Sequence, residues 1–250
     1  MYIALKIRLM KSIIYVFSLA VMVLLGSCTS DNPVFQTFDP VDNHVSYSSD
    51  YYTNGLGDNP GIPAGELYSF PQGIDIVGFV HGNAPSYVPP PEGYDKEKYL
   101  ANYQPVSDKT YETYGWGSYV NLYFTLENTT NQEIIVTLPK GTICHEADHD
   151  PSSQHGILVK TVNIPIPANS TKDIHLVMFC CNAHRGVAAP DDPYKIGIIT
   201  ANPDFQTVCN ILDSKSYIDP ADFGTIQTII WKITDNGGFG QADIDVLNAL

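Results

Sequence analysis

The sequence is poor in basic residues. It contains 13 lysine and arginine side chains against 27 aspartate and glutamate, a net charge of −14 at pH 7 over 250 residues. Three of the basic residues, Lys6, Arg8 and Lys11, lie in the first 27 positions, which contain no acid, so the remaining chain is more negative still, at −17. Because such a surface repels phosphate groups, we expect no nucleic-acid partner.

The chain also lacks several catalytic signatures. It has no Gly-x-Ser-x-Gly nucleophile turn and no phosphate-binding glycine loop. The glycines in "NGGFGQADID" follow a predicted helix instead of joining a strand to a helix, and the aspartates there lack the spacing of a calcium loop. These absences argue against serine hydrolases of the nucleophile-turn type, nucleotide hydrolases with a phosphate loop, and EF-hand proteins.

One apolar run stands near the N-terminus, from Ser12 to Leu25, directly after the basic residues. It is too short to span a bilayer comfortably as a permanent helix, and it fits the apolar part of a secretory signal. It ends in "LGSC", which resembles the lipobox of bacterial lipoproteins. The resemblance implies a signal peptide over residues 1–27, cleavage before Cys28, and acyl chains such as palmitate on that cysteine. The alternative is an ordinary signal peptide followed by a chance cysteine.

The segment at 28–70 is predicted to be a lipidated tether with loops. It is crowded with Asn, Asp, Gly, Pro and Ser, which prevent long regular elements. Several acyl chains on Cys28 would hold the protein stably at a membrane, the one partner that the sequence specifies. Thr29 stands where an aspartate would resemble an inner-membrane retention signal. We therefore expect the outer membrane, on its periplasmic face or at the cell surface.

Four cysteines follow Cys28, namely Cys144, Cys180, Cys181 and Cys209. An exported chain meets an oxidising compartment, where an even number of cysteines favours two disulfides with three connectivities. Geometry disfavours a bond between the neighbours Cys180 and Cys181. At least one of the four thiols is therefore expected to stay free, and the disulfide candidates are Cys144, Cys181 and Cys209.

The fold class is indicated by residues 71–200. Apolar residues alternate with period two in "YVNLYFTLEN", "QEIIVTL", "ILVKTVNIPI" and "KDIHLVMF", which turns rich in Asn, Pro and Ser separate. This pattern predicts an antiparallel, immunoglobulin-like β-sandwich. A Tyr- and Pro-rich insertion, with one short helical stretch at Asp95 to Tyr103, interrupts it. Its tyrosines form either an exposed binding surface or ordinary packing contacts.

The last part, residues 201–250, has a helical period. Asn202 followed by Pro203, and Asp219 followed by Pro220, are typical helix starts, and Gly237 with Gly238 is a typical stop. A short helix at "QADIDVLNAL" ends the chain. We expect two or three helices packed on the sandwich.

A candidate metal site lies in "HEADHDPSSQH", where His145, Glu146, His149 and His155 stand close together. The spacing is nearly that of a zinc protease, which needs the first two histidines on successive turns of one helix. Here the stretch follows a strand that Pro139 and Gly141 end, so protease activity is not expected. Zinc bound in a loop by these residues remains open, against the alternative of a solvated acidic loop.

A second candidate site joins two distant segments. Cys180-Cys181-Asn182 ends the last predicted strand, Pro190 follows, and Gln227-Thr228-Ile229-Ile230-Trp231 lies in a predicted helix. These motifs resemble the thioester-forming domains of bacterial surface adhesins, over roughly residues 118–240. The resemblance implies an internal thioester between Cys180 and Gln227, with Trp231 and Asn182 nearby, and with His184 as a potential base.

The match departs from the family in three places. Ile226 replaces the threonine before the glutamine, Ile229 replaces an alanine, and Cys181 stands beside the proposed nucleophile. The alternative is structural, with Gln227 and Trp231 packing together on one helix face and Cys180 in a core or a disulfide.

The predicted function is that of an exported lipoprotein acting as a surface or periplasmic binding or adhesion module, with an unknown protein or glycan ligand. The internal thioester would make that binding covalent. Two alternatives stay open, a metal-dependent hydrolase that uses the His145–His155 cluster and a structural subunit of an envelope assembly that uses the Tyr- and Pro-rich segment. Zinc is the only cofactor that the sequence suggests.

Overall fold

A computed structural model describes residues 52–82, 110–147, 153–189, 192–235 and 237–250. The predicted signal peptide, Cys28 and the helical stretch from Asp95 to Tyr103 lie outside these ranges. None of the helices in the described ranges is both long enough and apolar enough to cross a membrane.

Ten strands precede the helices in the described part of the chain. Their bounds are β1 Gly65–Leu67, β2 Ile74–Gly82, β3 Glu112–Gly115, β4 Val120–Asn128, β5 Ile134–Leu138, β6 Thr142–Glu146, β7 Gly156–Ile157, β8 Val162–Ile166, β9 Ser170–Cys180 and β10 Pro193–Thr200. Three helices follow, α1 Pro203–Asp213, α2 Phe223–Thr234 and α3 Gln241–Ala249, with a short 3₁₀ turn at Pro220–Asp222 before α2.

Six of the strands form a closed barrel. In the order β2, β4, β9, β7, β6 and β10, each pairs antiparallel with the next, and β10 pairs again with β2 to close the ring. The predicted immunoglobulin-like β-sandwich is therefore wrong. Sandwiches and barrels both bury one face of every strand, so they give the same period-two pattern. They differ in which edges pair, and that information is not in the periodicity.

Strand β10 closes the barrel. It pairs with β6 along one edge, with an irregularity in register between Ile196 and Ile198, and its first residues pair with β2 along the other edge. Irregularities of this kind bend a strand and increase its twist, which ring closure requires. Strand β1 continues the pairing along the rest of β10, β3 adds a parallel partner to β9, and β5 with β8 forms a separate hairpin.

Successive residues of β9 face two different hydrophobic cores. Leu176, Met178 and Cys180 belong to the core that the barrel strands and the β5–β8 hairpin enclose. Phe179 and Cys181 belong to a second core, which the three helices complete. Because both faces of its last residues are buried, the end of β9 is the point where barrel and helices meet.

The prediction of C-terminal helices is confirmed. The Asn202 side chain accepts hydrogen bonds from the backbone N–H groups of Asp204 and Phe205, and Pro203 occupies the first helical turn of α1. Asp219 caps the 3₁₀ turn instead of α2 itself, which begins at Phe223. Helix α2 is thereby directed with its apolar face toward β9.

Candidate functional site

The end of strand β9 and the buried face of helix α2 meet at Cys180 and Gln227. Gln227 Oε1 accepts a hydrogen bond from the backbone N–H of Cys180 at 2.8 Å, and Gln227 Nε2 donates to the Cys180 carbonyl at 2.7 Å. Neither residue has any exposed surface. The structure thus brings the two thioester candidates into direct contact.

The contact forms where the ladder between β4 and β9 stops. The last pair of that ladder is Val120 with Met178. On its other edge Cys180 is paired with Gly156 of β7. The carboxamide of Gln227 carries the same donor and acceptor as a peptide group, so it continues the ladder for one more step where β4 has ended.

Helix α2 directs Gln227 inward because its apolar stripe passes through that position. Ile226, Ile230 and Ile233 are buried on the same side of the helix. A glutamine buried in such a stripe costs free energy unless both of its polar groups are hydrogen-bonded, a condition that the Cys180 backbone meets. A polar residue inside an apolar stripe is a signal that the sequence alone already contains.

The Cys180 sulfur lies in a tight turn with Asn182. The backbone N–H of Asn182 donates to Sγ at 3.2 Å, and the thiol donates to the Asn182 carbonyl at 3.3 Å. Burial raises the pKa of the Cys180 thiol, and the Asn182 N–H and the Trp231 indole oppose that rise. Burial raises the pKa of Cys181 well above its ordinary value, with the other thiols adding to the rise. Of the vicinal pair, Cys180 is therefore the one whose surroundings disfavour the thiolate less.

Asn182 connects this turn to a strap formed by residues 52–59. Its Nδ2 donates to the carbonyls of Gly57 at 2.8 Å and Gly55 at 3.2 Å, while its Oδ1 accepts from the backbone N–H of His155 at 2.8 Å. The N–H of Gly57 donates in turn to the Cys181 carbonyl at 2.9 Å. The side chain of Asn182 therefore fixes the position of Cys180 from both sides.

Gly57 lets the strap come this close. Its φ of +56° lies in the left-handed region, and a Cβ there would stand 2.3 Å from the Thr234 carbonyl oxygen at the end of α2. Any other residue would clash with the helix backbone at this point.

Arg185 is a buried cation beside the turn. Its Nη2 donates to the Asn59 carbonyl at 2.7 Å, and its Nη1 lies 3.3 Å from His155 Nε2. Gln154 Nε2 donates to the Arg185 carbonyl at 3.1 Å. Burial lowers the pKa of Arg185, and the positive charge in turn lowers the pKa of the Cys180 thiol. Neither Arg185 nor the strap can be predicted from the sequence, because their contacts span more than a hundred residues of the chain.

Two aromatic rings, those of Trp231 and Tyr119, pack together at the site. Trp231, one turn after Gln227 on α2, packs against the core that contains Cys180. Tyr119 meets the Trp231 ring edge to face, with 5.5 Å between the ring centroids, and is 40% exposed. Gly117 lies two residues before Tyr119 with a φ of +123°, and a Cβ there would stand 2.5 Å from the Met178 carbonyl oxygen. Trp231 and Tyr119 thus form an aromatic pair against the core that contains Cys180.

The structure places the predicted zinc ligands on different elements. His145 and Glu146 are buried at the end of β6, and His155 lies just before β7. The ring centroids of His145 and His155 are 6.0 Å apart, and His145 Nδ1 lies 2.8 Å from the Glu146 carbonyl oxygen. Within the described ranges no group of three or more His, Cys, Asp or Glu side chains is arranged to hold a metal ion. His149 lies outside those ranges, so the zinc site stays a prediction.

The other residues of the predicted site are scattered. His184 is exposed on the loop between Asn182 and Arg185, and Pro190 lies outside the described residues. The disulfide candidates Cys144, Cys181 and Cys209 are buried free thiols, as is Cys180. Cys181 faces the helical core, on the opposite side of β9 from Cys180.

Comparison of the chain with models of protein families, with curated proteins and with solved structures found no match.

Proposed function

We propose that this protein is an exported lipoprotein, held at the outer membrane by acyl chains on Cys28, whose body is a binding or adhesion module that attaches covalently to its target. The covalent group is an internal thioester between Cys180 and Gln227. The observation that carries the proposal is the pairing of the Gln227 carboxamide with the backbone of Cys180, the same residue that supplies the thiol.

The first step forms the thioester. Cys180 Sγ attacks Gln227 Cδ, the carbonyl π electrons move onto Oε1, and a tetrahedral intermediate forms. That oxygen already accepts the Cys180 N–H at 2.8 Å, so the developing negative charge has a fixed donor. When the intermediate collapses, the C–N bond breaks and Nε2 leaves as ammonia with the thiol proton. One S–C bond replaces one C–N bond, and no oxidant or reductant is required.

Enforced proximity favours this step. Two groups held together in a folded protein react as if at very high local concentration, because the entropy of bringing them together has been spent in folding. Both partners are fixed here. Two hydrogen bonds to the Cys180 backbone hold Gln227, and the turn with Asn182 holds Cys180.

The second step captures the target. A target amine attacks the thioester carbon, the C–S bond breaks, and the amine proton returns to the Cys180 sulfur. The target is then joined to Gln227 through an amide, or through an ester if a glycan hydroxyl attacks. The full burial of Cys180, Gln227 and Asn182 keeps water from making the same attack.

Methylamine tests this function directly. We expect the full-length exported protein to gain one methylamine on Gln227, with a new free thiol on Cys180, when peptides are sequenced after treatment. Cys180→Ala should take up none, and Gln206, which is exposed on α1, serves as an internal control glutamine. Equal labelling of Gln206 and Gln227, or labelling that persists in Cys180→Ala, would contradict the proposal.

A further inference from the structure

Two N–H groups act on the Cys180 sulfur, and only one of them donates a hydrogen bond to it. The backbone N–H of Asn182 donates to Sγ at 3.2 Å. The second is the indole Nε1 of Trp231, which is buried and has no hydrogen-bond acceptor among the described residues. Trp231 packs against the core to which Cys180 belongs.

A buried N–H without an acceptor is unfavourable. Indole N–H groups usually find a partner when buried, and leaving one unsatisfied is destabilising. A phenylalanine would be a smaller apolar ring with no such donor. An unsatisfied donor on a ring that packs against the core containing Cys180 is therefore a candidate for binding charge that exists only during the reaction.

We propose that the Trp231 indole N–H and the Asn182 backbone N–H form a donor pair that stabilises the Cys180 thiolate. The inference rests on the proposed function, in which the sulfur becomes negative twice. It loses its proton when the thioester forms, and it leaves as a thiolate when a target attacks. In the resting thiol state only the Asn182 N–H is engaged, and the indole N–H is held in place for the charged state.

The electrostatics of the site agree with this role. The indole and the Asn182 N–H both lower the pKa of the Cys180 thiol against the effect of burial. Two charged groups also act on the sulfur, Arg185, which lowers the pKa, and Asp235, which raises it. Burial has the largest effect on the pKa of Cys180, and the two N–H groups come next, ahead of either charge.

The test compares Trp231→Phe with the parent residue in a Gln227→Met background, where no amide is present, Cys180 stays a free thiol and residue 227 has no group that titrates. Both proteins lack the two hydrogen bonds from residue 227 to Cys180, so that loss cancels in the comparison. The rate of iodoacetamide alkylation at Cys180 is followed against pH by peptide mapping. We expect Trp231→Phe to slow alkylation about tenfold on the rising limb of the profile, the effect of one lost charge-assisted hydrogen bond, and to leave the high-pH plateau unchanged.

Two other profiles would overturn the inference. An unchanged profile would mean that the indole N–H does not interact with the thiolate. A rate that changes equally at every pH, plateau included, would mean that Trp231 affects only access to the sulfur. Tyr119→Phe is the matched control, because it alters the ring that contacts Trp231 without removing an indole N–H, and it should leave the profile unchanged.

Alkylation of Cys144 and Cys209 in the same digests reports on folding, because these buried thiols should react at the same rate in both proteins as long as the fold is intact. If Trp231→Phe exposes them, replacing tryptophan by its benzothiophene analogue gives a second variant with the indole shape and no N–H. The same slowing is expected. This assay does not need a thioester, so a protein that shows the Trp231 effect but takes up no methylamine would refute the proposed function while leaving the thiolate assignment standing.

Discussion

The carboxamide of Gln227 is hydrogen-bonded to both backbone polar groups of Cys180, its Oε1 to the N–H at 2.8 Å and its Nε2 to the carbonyl at 2.7 Å. One side chain thereby ties helix α2 to the end of strand β9 and sets an electrophilic carbon next to a cysteine. The contact has a structural effect and a chemical one, and substitutions can separate the two.

Gln227→Ala should destabilise the protein by about 2–4 kcal/mol, because the N–H and carbonyl of Cys180 lose their partners inside the protein. Gln227→Glu should cost less at acidic pH, where the neutral carboxyl group keeps both hydrogen bonds. Burial disfavours the ionised carboxylate, so the stability of Gln227→Glu should fall as pH rises above about 5. Urea unfolding of the three proteins at several pH values measures this. Equal stability of Gln227→Ala and wild type would contradict the structural effect.

His175 should make the protein less stable in weak acid. Its ring stacks on Tyr123, with 4.4 Å between centroids, and lies within hydrogen-bond distance of Asn121 and Thr113. Burial lowers the pKa of His175 below its ordinary value of 6.5. The unfolded chain therefore binds a proton at that position before the folded protein does, and stability falls as pH falls through the range just below about 6.5.

Thermal unfolding at about pH 7.5 and about pH 5.5 tests the assignment to His175. We expect the loss of Tm between these two conditions to be smaller in His175→Gln than in wild type. His184→Gln is the control, since His184 is exposed, and it should behave as wild type. An identical loss in His175→Gln and wild type would contradict the prediction.

Lys160 should stabilise the C-terminal end of helix α1. It is buried, and its ammonium group donates to the carbonyl oxygens of Leu212 at 3.0 Å and Asp213 at 3.3 Å, and also to that of Lys215. Lys160→Met keeps the apolar stem but leaves these carbonyls without their donor, which should cost about 2–3 kcal/mol. Lys195→Met, at an exposed position, should stay within about 0.5 kcal/mol of wild type. Equal free energies of unfolding for Lys160→Met and Lys195→Met, measured in urea, would show that the Lys160 ammonium group does not stabilise the end of α1.

Asn182→Asp should detach the strap at 52–59 from the Cys180 turn. The new carboxylate can still accept from the His155 N–H, but it offers no hydrogen to the carbonyls of Gly55 and Gly57. Hydrogen exchange at the Gly57 amide, which donates to the Cys181 carbonyl, should speed up at least tenfold. Asn210→Asp makes the same change on an exposed face of α1 and should leave that amide protected. Unchanged exchange in Asn182→Asp would contradict the role assigned to this side chain.

The sequence predicts local elements well and their pairing poorly. Strand β9 and helix α1 are readable because alternation and the Asn202–Pro203 start are local signals. The barrel is not readable, because the two-sided pairing of β10 depends on contacts far apart in the chain. The candidate site divides in the same way. Gln227 stands out as a polar residue in an apolar stripe, whereas the role of Asn182 depends on a strap 125 residues away.

The measurement that tests the central claim most directly is the intact mass of the protein body, residues 29–250, exported to the periplasm without lipid. The account predicts a mass lower than the sequence by that of one ammonia, absent in Cys180→Ala and in Gln227→Glu. A mass equal to that of the sequence, or lower only by hydrogens lost to disulfides, would contradict it. In that case the two hydrogen bonds between the Gln227 carboxamide and the Cys180 backbone stabilise the fold and have no chemical role.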